Sequence, residues 1–222
     1  MTEKPLSSSQ RAIHELRAKI FSGELAAGSD HLESELADLL DMSRTPVREA
    51  VLTLESQGLL EMRPRKGVRI LPLSPEDMAE IYDVLTELES HAAEKAAEAC
   101  YDKEDLRLLS KAIDDMDAAI AKNDLDSWAE ADDRFHAELV RLGGNSRIQA
   151  IVSMMSDQVR RARSTTLFMR PLPTKSNEDH RAVYHAICNG DAATARDSHR
   201  QHRQHAKAIL VELLGKHRLR FL

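Results

Sequence analysis

Asp132 and His136 stand four residues apart, a spacing that on a helix puts a carboxylate and an imidazole on one face, a turn from each other. Trp128, Phe135 and Leu139 share that face. A carboxylate set in an apolar stripe must be paired or ligated, because burying it alone is costly. Two further histidines gain meaning from the break at Gly190-Asp191. His180 lies ten residues before Gly190 and His202 eleven after Asp191, so an antiparallel helical hairpin turning there lifts both about 15 Å from the turn and leaves them level. Three imidazoles and one carboxylate form a borderline-hard donor set that suits Zn²⁺, Ni²⁺, Co²⁺, Mn²⁺ or Fe²⁺, and an ion preferring five or six partners keeps room for water or a small carboxylate. Spacing alone leaves the set open: His199 and His205 flank His202 on adjacent turns, and crowding is a rival explanation, since seven of the ten histidines follow Ala131.

A second constellation is cationic. Arg44 and Arg48 are four apart, about 40° from each other around a helix, and they project together outside the apolar stripe of Val47, Ala50, Val51 and Leu54. Ser43 and Thr45 put hydroxyls and backbone N–H groups at the start of that helix, where a phosphate binds readily. An arginine near the N-terminus of a helix lying in the major groove makes a bidentate contact to guanine O6 and N7. Arg63, Arg65 and Lys66, around a turn that ends in Gly67, add cations for phosphates or the minor groove.

These side chains need elements to hold them. Helices are expected over about 9–22, 33–40 and 43–58, with Ser43 as N-cap and Pro46 in the first turn, where a missing N–H costs little. Leu59 to Leu71 reads as two short strands around Arg63-Pro64-Arg65-Lys66-Gly67. Helix, helix-turn-helix and basic hairpin is the winged-helix order. Pro72 and Ser74-Pro75 mark a boundary, giving a winged helix-turn-helix domain over 1–73 and an all-α domain over 74–222. In the second, helices are expected over about 76–100, 104–121, 124–142, 146–168, 176–189 and 191–217, separated by Asn, Gly and Pro breaks.

Composition agrees with a mainly α protein: 42% hydrophobic, 31% charged, 4% aromatic and only 8 glycines in 222 residues. The net charge of −6 argues against a nucleic-acid partner until its distribution is seen, for residues 43–70 carry six basic groups against three acidic ones. Cys100 and Cys188 fit no metal or redox spacing and read as reduced core thiols. No run approaches the roughly 18 apolar residues of a membrane span, and a cytoplasmic location is expected.

Two stretches resemble a known family. Glu33-Ser34-Glu35-Leu36-Ala37-Asp38, then Ser43-Arg44-Thr45-Pro46-Val47-Arg48-Glu49-Ala50, then Leu54-Glu55-Ser56-Gln57-Gly58-Leu59-Leu60 are similar to the GntR family of transcriptional regulators, over about residues 10–71. The resemblance implies that Arg44, Thr45 and Arg48 read an operator and that Gly67 marks the wing tip. Many relatives carry a DNA-contacting arginine after the position of Glu33; here it is Ser34. Asp132 to Leu139, Gly143-Gly144-Asn145, His180-Arg181-Ala182-Val183, Gly190-Asp191 and His202 resemble the FCD ligand-binding domain of the FadR-type subfamily, over about 76–215. In its metal-containing branch an Asp and three His hold the ion, which by resemblance are Asp132, His136, His180 and His202. Acid-sensing relatives carry an arginine three residues before a Leu-Glu pair, where Leu85 precedes Leu88-Glu89, so Arg160 and Arg163 become the candidate effector-binding cations. The implied function is a non-enzymatic repressor: a homodimer on a palindromic double-stranded operator, answering to a small carboxylate sensed near a divalent ion, with zinc first. The rivals are a repressor for which the ion is itself the signal, an ion that is purely structural, and a metal-dependent enzyme, against which no general-base pair, nucleophile elbow or phosphate loop is found.

Overall fold

A computed structural model describes residues 6–216, which fall into two compact units, one ending at Ser74 and the other running from Pro75 to Lys216.

The first unit opens with α1 (Ser8–Phe21), started by a reciprocal cap in which Gln10 N–H donates to Ser7 Oγ and Ser7 N–H to Gln10 Oε1. Then come β1 (Asp30–His31), α2 (Glu33–Leu39), α3 (Arg44–Ser56), β2 (Leu60–Arg63) and β3 (Gly67–Ile70). The strands form one antiparallel sheet in the order β1-β3-β2, with Met62 opposite Val68 and Arg63 opposite Gly67. Leu16, Ile20, Leu36, Val47, Val51, Leu54, Val68 and Ile70 belong to a single apolar cluster that helices and hairpin share. The sequence pattern does not announce β1. It is two residues long, too short for any alternation to register, and it exists because β3 offers Val68 and Arg69 as partners. Gly67 makes that pairing tolerable: its φ is +87°, and a Cβ there would meet the His31 carbonyl oxygen at 2.2 Å.

The second unit is α4 (Pro75–Glu98), α5 (Arg107–Ala121), α6 (Leu125–Leu142), α7 (Ser146–Thr166), a single 3-10 turn (Leu167–Met169), α8 (Thr174–Cys188) and α9 (Ala192–Lys216). Leu109, Met116, Trp128, Phe135, Leu139, Val183 and Ile187 anchor its core. Alanines 93, 96 and 97 let α4 come close to its neighbours, and Gly143 completes this fit, since a Cβ there would lie 2.7 Å from that of Ala92. Along α4 and α9 the pairs Asp83–Lys207 at 2.6 Å, Glu87–Arg200 at 2.7 Å and Glu94–Arg196 at 2.6 Å set the register. Each is partly exposed and screened by solvent, so apolar burial holds the helices and the charges select their alignment. The α8–α9 turn falls at Gly190, in the left-handed region at φ +68°.

The cysteines depart from the expectation of core thiols. Both are exposed rather than buried: Cys100 lies just past the end of α4 with φ +52°, and Cys188 is the last residue of α8. Helix ends face solvent even when helix bodies do not. Among the described residues no helix is long and apolar enough to cross a membrane.

Candidate metal centre and nucleic-acid interface

α6 carries Asp132 and His136, α8 carries His180, and α9 carries His202. Trp128 fixes the start of the α6 face by donating its indole N–H to Asn177 on α8 at 2.9 Å, and Phe135 packs against the His180 ring with centroids 4.2 Å apart. The polar ends converge. His180 Nε2 and His202 Nε2 are 3.1 Å apart, and Asp132 Oδ1 lies 3.5 Å from His180 Nε2 and 3.8 Å from His136 Nε2. All four donor atoms lie within 4.8 Å of one another. An ion at about 2.1 Å from each ligand needs edges of roughly 3.0–3.4 Å and none above about 4.2 Å, so the 3.1–3.8 Å separations come near that geometry and small side-chain shifts would complete it.

Three of the donors, Asp132, His180 and His202, are in the right protonation state. Burial pushes His180 well below the ordinary imidazole value, helped by the neighbouring His202 and His136, and burial also lowers His202 against the opposing pull of Asp179. Both are therefore neutral and able to ligate. Burial pushes the Asp132 carboxyl up, but Arg163 and the surrounding histidines outweigh it and hold Asp132 below its usual range.

A second layer, which no local spacing signals, lies behind the first. His136 Nδ1 lies 3.0 Å from Glu89 Oε2 on α4, His199 Nε2 lies 3.4 Å from the same oxygen, and Arg203 reaches Glu89 Oε1 at 3.1 Å. Burial pushes Glu89 up, yet Arg203, His136 and His199 outweigh it and leave it a carboxylate well below its ordinary value. Glu89, His136 and His199 form a rival donor triad. It has three donors instead of four, and in both sets the carboxylate faces a guanidinium, Arg203 for Glu89 and Arg163 for Asp132, so donor number is what favours the quartet. A weak signal exists in the sequence: Glu89 is four residues after Leu85 and three before Ala92, on the apolar face of α4. His205, the other competitor, is exposed at the cavity wall.

Three of the four donors, Asp132, His136 and His202, line a cavity whose wall also carries Tyr82, Trp128 and Arg163. Arg163 donates to Asp132 and Asp133. Arg160 is not part of the wall; it pairs with Asp133 at 3.0 Å and Asp157 at 3.2 Å beside it. Leu85, at the position of the missing arginine, is 1% exposed.

The imidazoles dictate the response to acid. Unfolded, each takes up a proton near pH ~6.5, whereas folded His199 holds out to about 3, through burial, and His180 and His202 are also lowered. Below about pH 6.5 the unfolded state binds more protons, so stability present above that value is lost as the pH falls, by up to about 1.4 kcal/mol per imidazole per pH unit. Urea unfolding of the metal-free chain, followed by Trp128, its one tryptophan, should lose roughly 2–4 kcal/mol between about pH 6.5 and pH 5.5, and less in His199→Ala. A flat profile would contradict buried neutral imidazoles.

In the first unit Arg44 and Thr45 are exposed in the first turn of α3, and Ser43, its N-cap, makes no side-chain cap bond. Ser43 thus stands at the N-cap position without the expected side-chain cap, and the residue is exposed. Arg44 has no hydrogen bond or ion pair among the described residues, while Arg48 pairs with Glu33 at 3.7 Å across the turn. Arg65 and Lys66 are exposed between β2 and β3. Arg63 is turned aside, 3.2 Å from Asp30 and 3.7 Å from Glu61, and so is the least available of the wing cations. Ser34 is half-buried in α2.

Comparison with known proteins agrees with this division. Residues 8–70 match the bacterial regulatory proteins of the gntR family, and residues 80–205 match the FCD domain. An uncharacterized HTH-type transcriptional regulator in the TAR-I ttuE-ttuC' intergenic region of Agrobacterium vitis is 44% identical over 131 residues, 58% of this chain and 77% of that one. The gluconate operon transcriptional repressor of Bacillus subtilis is 34% identical over 146 residues, 65% of this chain and 59% of the repressor. Among solved structures, E. coli McbR/YncC superposes with a TM-score of 0.77 at 21% identity, covering 94% of this chain and 99% of that one, a likeness of fold. With the helix-turn-helix matched at one end and more than half of the chain matched to the FCD domain at the other, the chain belongs to the GntR family of bacterial transcriptional regulators, whose members bind DNA and are not enzymes.

Proposed function

We propose that the protein is a ligand-responsive repressor that binds a palindromic operator as a homodimer and releases it when a small carboxylate enters the cavity beside a divalent metal ion. Asp132, His136, His180 and His202 would hold the ion, Zn²⁺ first by donor type, with Ni²⁺, Co²⁺, Mn²⁺ and Fe²⁺ as alternatives. Bound there, the ion would supply a Lewis-acidic anchor for an oxygen anion. Glu89 orients His136, Asp179 holds His202 from 3.8 Å, and Arg163 adds positive charge to the wall through its place beside Asp132. Arg44, Thr45 and Arg48 read bases, while Ser43, Arg65 and Lys66 hold phosphates; Arg63 contributes least.

The observation that carries this reading is one wall on which three of the four convergent donors stand beside cationic side chains, one of which, Arg170, has no carboxylate bonded to it. Effector binding must discriminate between two states of the protein, and a coupling of roughly 1–3 kcal/mol changes operator affinity about 5- to 150-fold. Fluorescence anisotropy with the chain's own upstream DNA tests it. The metal-loaded protein should prefer this DNA over random duplex, and a screen of small carboxylates should return at least one that weakens the preferred complex by about that factor. Equal affinity for both duplexes overturns the operator reading. The second reading, an ion that is itself the signal, draws on the four protein donors, enough to close a tetrahedral site by themselves. It predicts that operator affinity follows free metal with no organic ligand present.

A further inference from the structure

Four cations besides the histidines face the cavity: Arg163, Arg170, Lys175 and Arg203. Three have carboxylates of their own. Arg163 is bound to Asp132 and Asp133, Arg203 to Glu89, and Lys175 to Asp179. Arg170, just after the 3-10 turn that closes α7, does not. Its Nε and one Nη donate to Thr166 Oγ1 at 3.0 and 2.8 Å, a neutral acceptor that fixes the guanidinium without supplying a counter-charge. Among the described residues no carboxylate pairs with it. Even half-buried, a guanidinium with no carboxylate bonded to it carries a desolvation cost, and Arg163 repels it while Asp132 attracts it without bonding to it. The single acidic side chain of the wall is Asp132, already committed to the donor quartet and to Arg163.

With a divalent ion bound, the cavity would have two positive poles: the quartet, and Arg170 near the Pro171–Pro173 segment. A ligand with one anionic end neutralises one of them. We propose that the effector is a small dicarboxylate, with one carboxylate at the metal quartet and the other gripped by Arg170. This inference rests on the anion-sensing role proposed above and adds that Arg170 sets the preference for a second negative end. Its planar fork, steadied by Thr166, suits a carboxylate held through two parallel bonds.

The test is calorimetric titration of the zinc-loaded full chain with pairs of equal carbon number, succinate against butyrate and glutarate against valerate. At least one dicarboxylate should bind the unaltered protein about ten-fold or more tighter than its partner, the scale of a charge-assisted pair. Arg170→Gln should erase that ratio while leaving monocarboxylate affinity within about two-fold. Arg170→Lys, which keeps the charge and loses the fork, should give an intermediate ratio and serves if the glutamine variant fails to fold. Unchanged ratios in the variants, or no preference in the unaltered protein, overturn the role of Arg170 and leave the anion site standing. If no carboxylate binds the zinc-loaded protein at all, the anion-sensing reading falls with it.

Discussion

Arg44→Ala is expected to remove most sequence preference from DNA binding while leaving the fold intact. The side chain is exposed, has no polar partner within the described protein and stands in the first turn of α3, so truncating it costs little in packing. A bidentate contact to guanine is worth about 1–3 kcal/mol, and the proposed dimer makes it twice, for a loss of roughly 2–6 kcal/mol or about 30- to 20,000-fold in affinity. Arg48→Ala should follow with a smaller effect, because its guanidinium shares its charge with Glu33 at 3.7 Å. Lys66→Ala should act differently, weakening operator and random DNA alike and reducing the salt slope by about 0.9 for each phosphate that it no longer neutralises. Arg63→Ala should change little, since Asp30 already neutralises it. Anisotropy titrations at several salt concentrations separate the four, and an Arg44→Ala protein that still prefers its operator at full strength would rule out base reading from α3.

The contrast between Arg44 and Arg63 shows where sequence runs out. Both are arginines in a basic stretch, and nothing in composition separates them; Arg63 is claimed by Asp30 of a two-residue strand that only the folded sheet creates. Long periodic elements are legible. The helical breaks at Asn145 and Gly190 fall where α7 and α9 begin, because an Asn side chain caps one helix and a left-handed glycine turns the chain into the other. The convergence of His180 and His202 follows from counting residues across that turn. Glu89 is legible in principle by the reasoning that draws attention to Asp132, a carboxylate inside an apolar stripe, but its partners come from two other helices and leave no local spacing. Arg170 lies between helices, outside any period, and its want of a carboxylate is visible only after every neighbouring acid has been assigned.

The same assignment of partners makes the metal centre testable one histidine at a time. Zinc at about 100 times its dissociation constant should stabilise the helical unit by about 2.7 kcal/mol, which at roughly 2–4 °C per kcal/mol raises its melting temperature by about 5–11 °C. Chelation should reverse the gain. His180→Ala and His202→Ala should abolish it, because each removes a nitrogen that faces the other at 3.1 Å. His199→Ala should keep most of it, although that ring is equally buried, because its Nε2 points to Glu89 rather than to Asp132. Glu89→Gln should fall between, as His136 loses the carboxylate that orients it but keeps Nε2 toward the quartet. Trp128, in the same unit and at the cavity wall, reports each melt by fluorescence. A His199→Ala protein as insensitive to zinc as His202→Ala would move the ion into the Glu89 cluster. No gain in the unaltered chain would mean that the buried imidazoles serve the fold alone, through the polar contacts they already make with Asp132, Asp179 and Glu89.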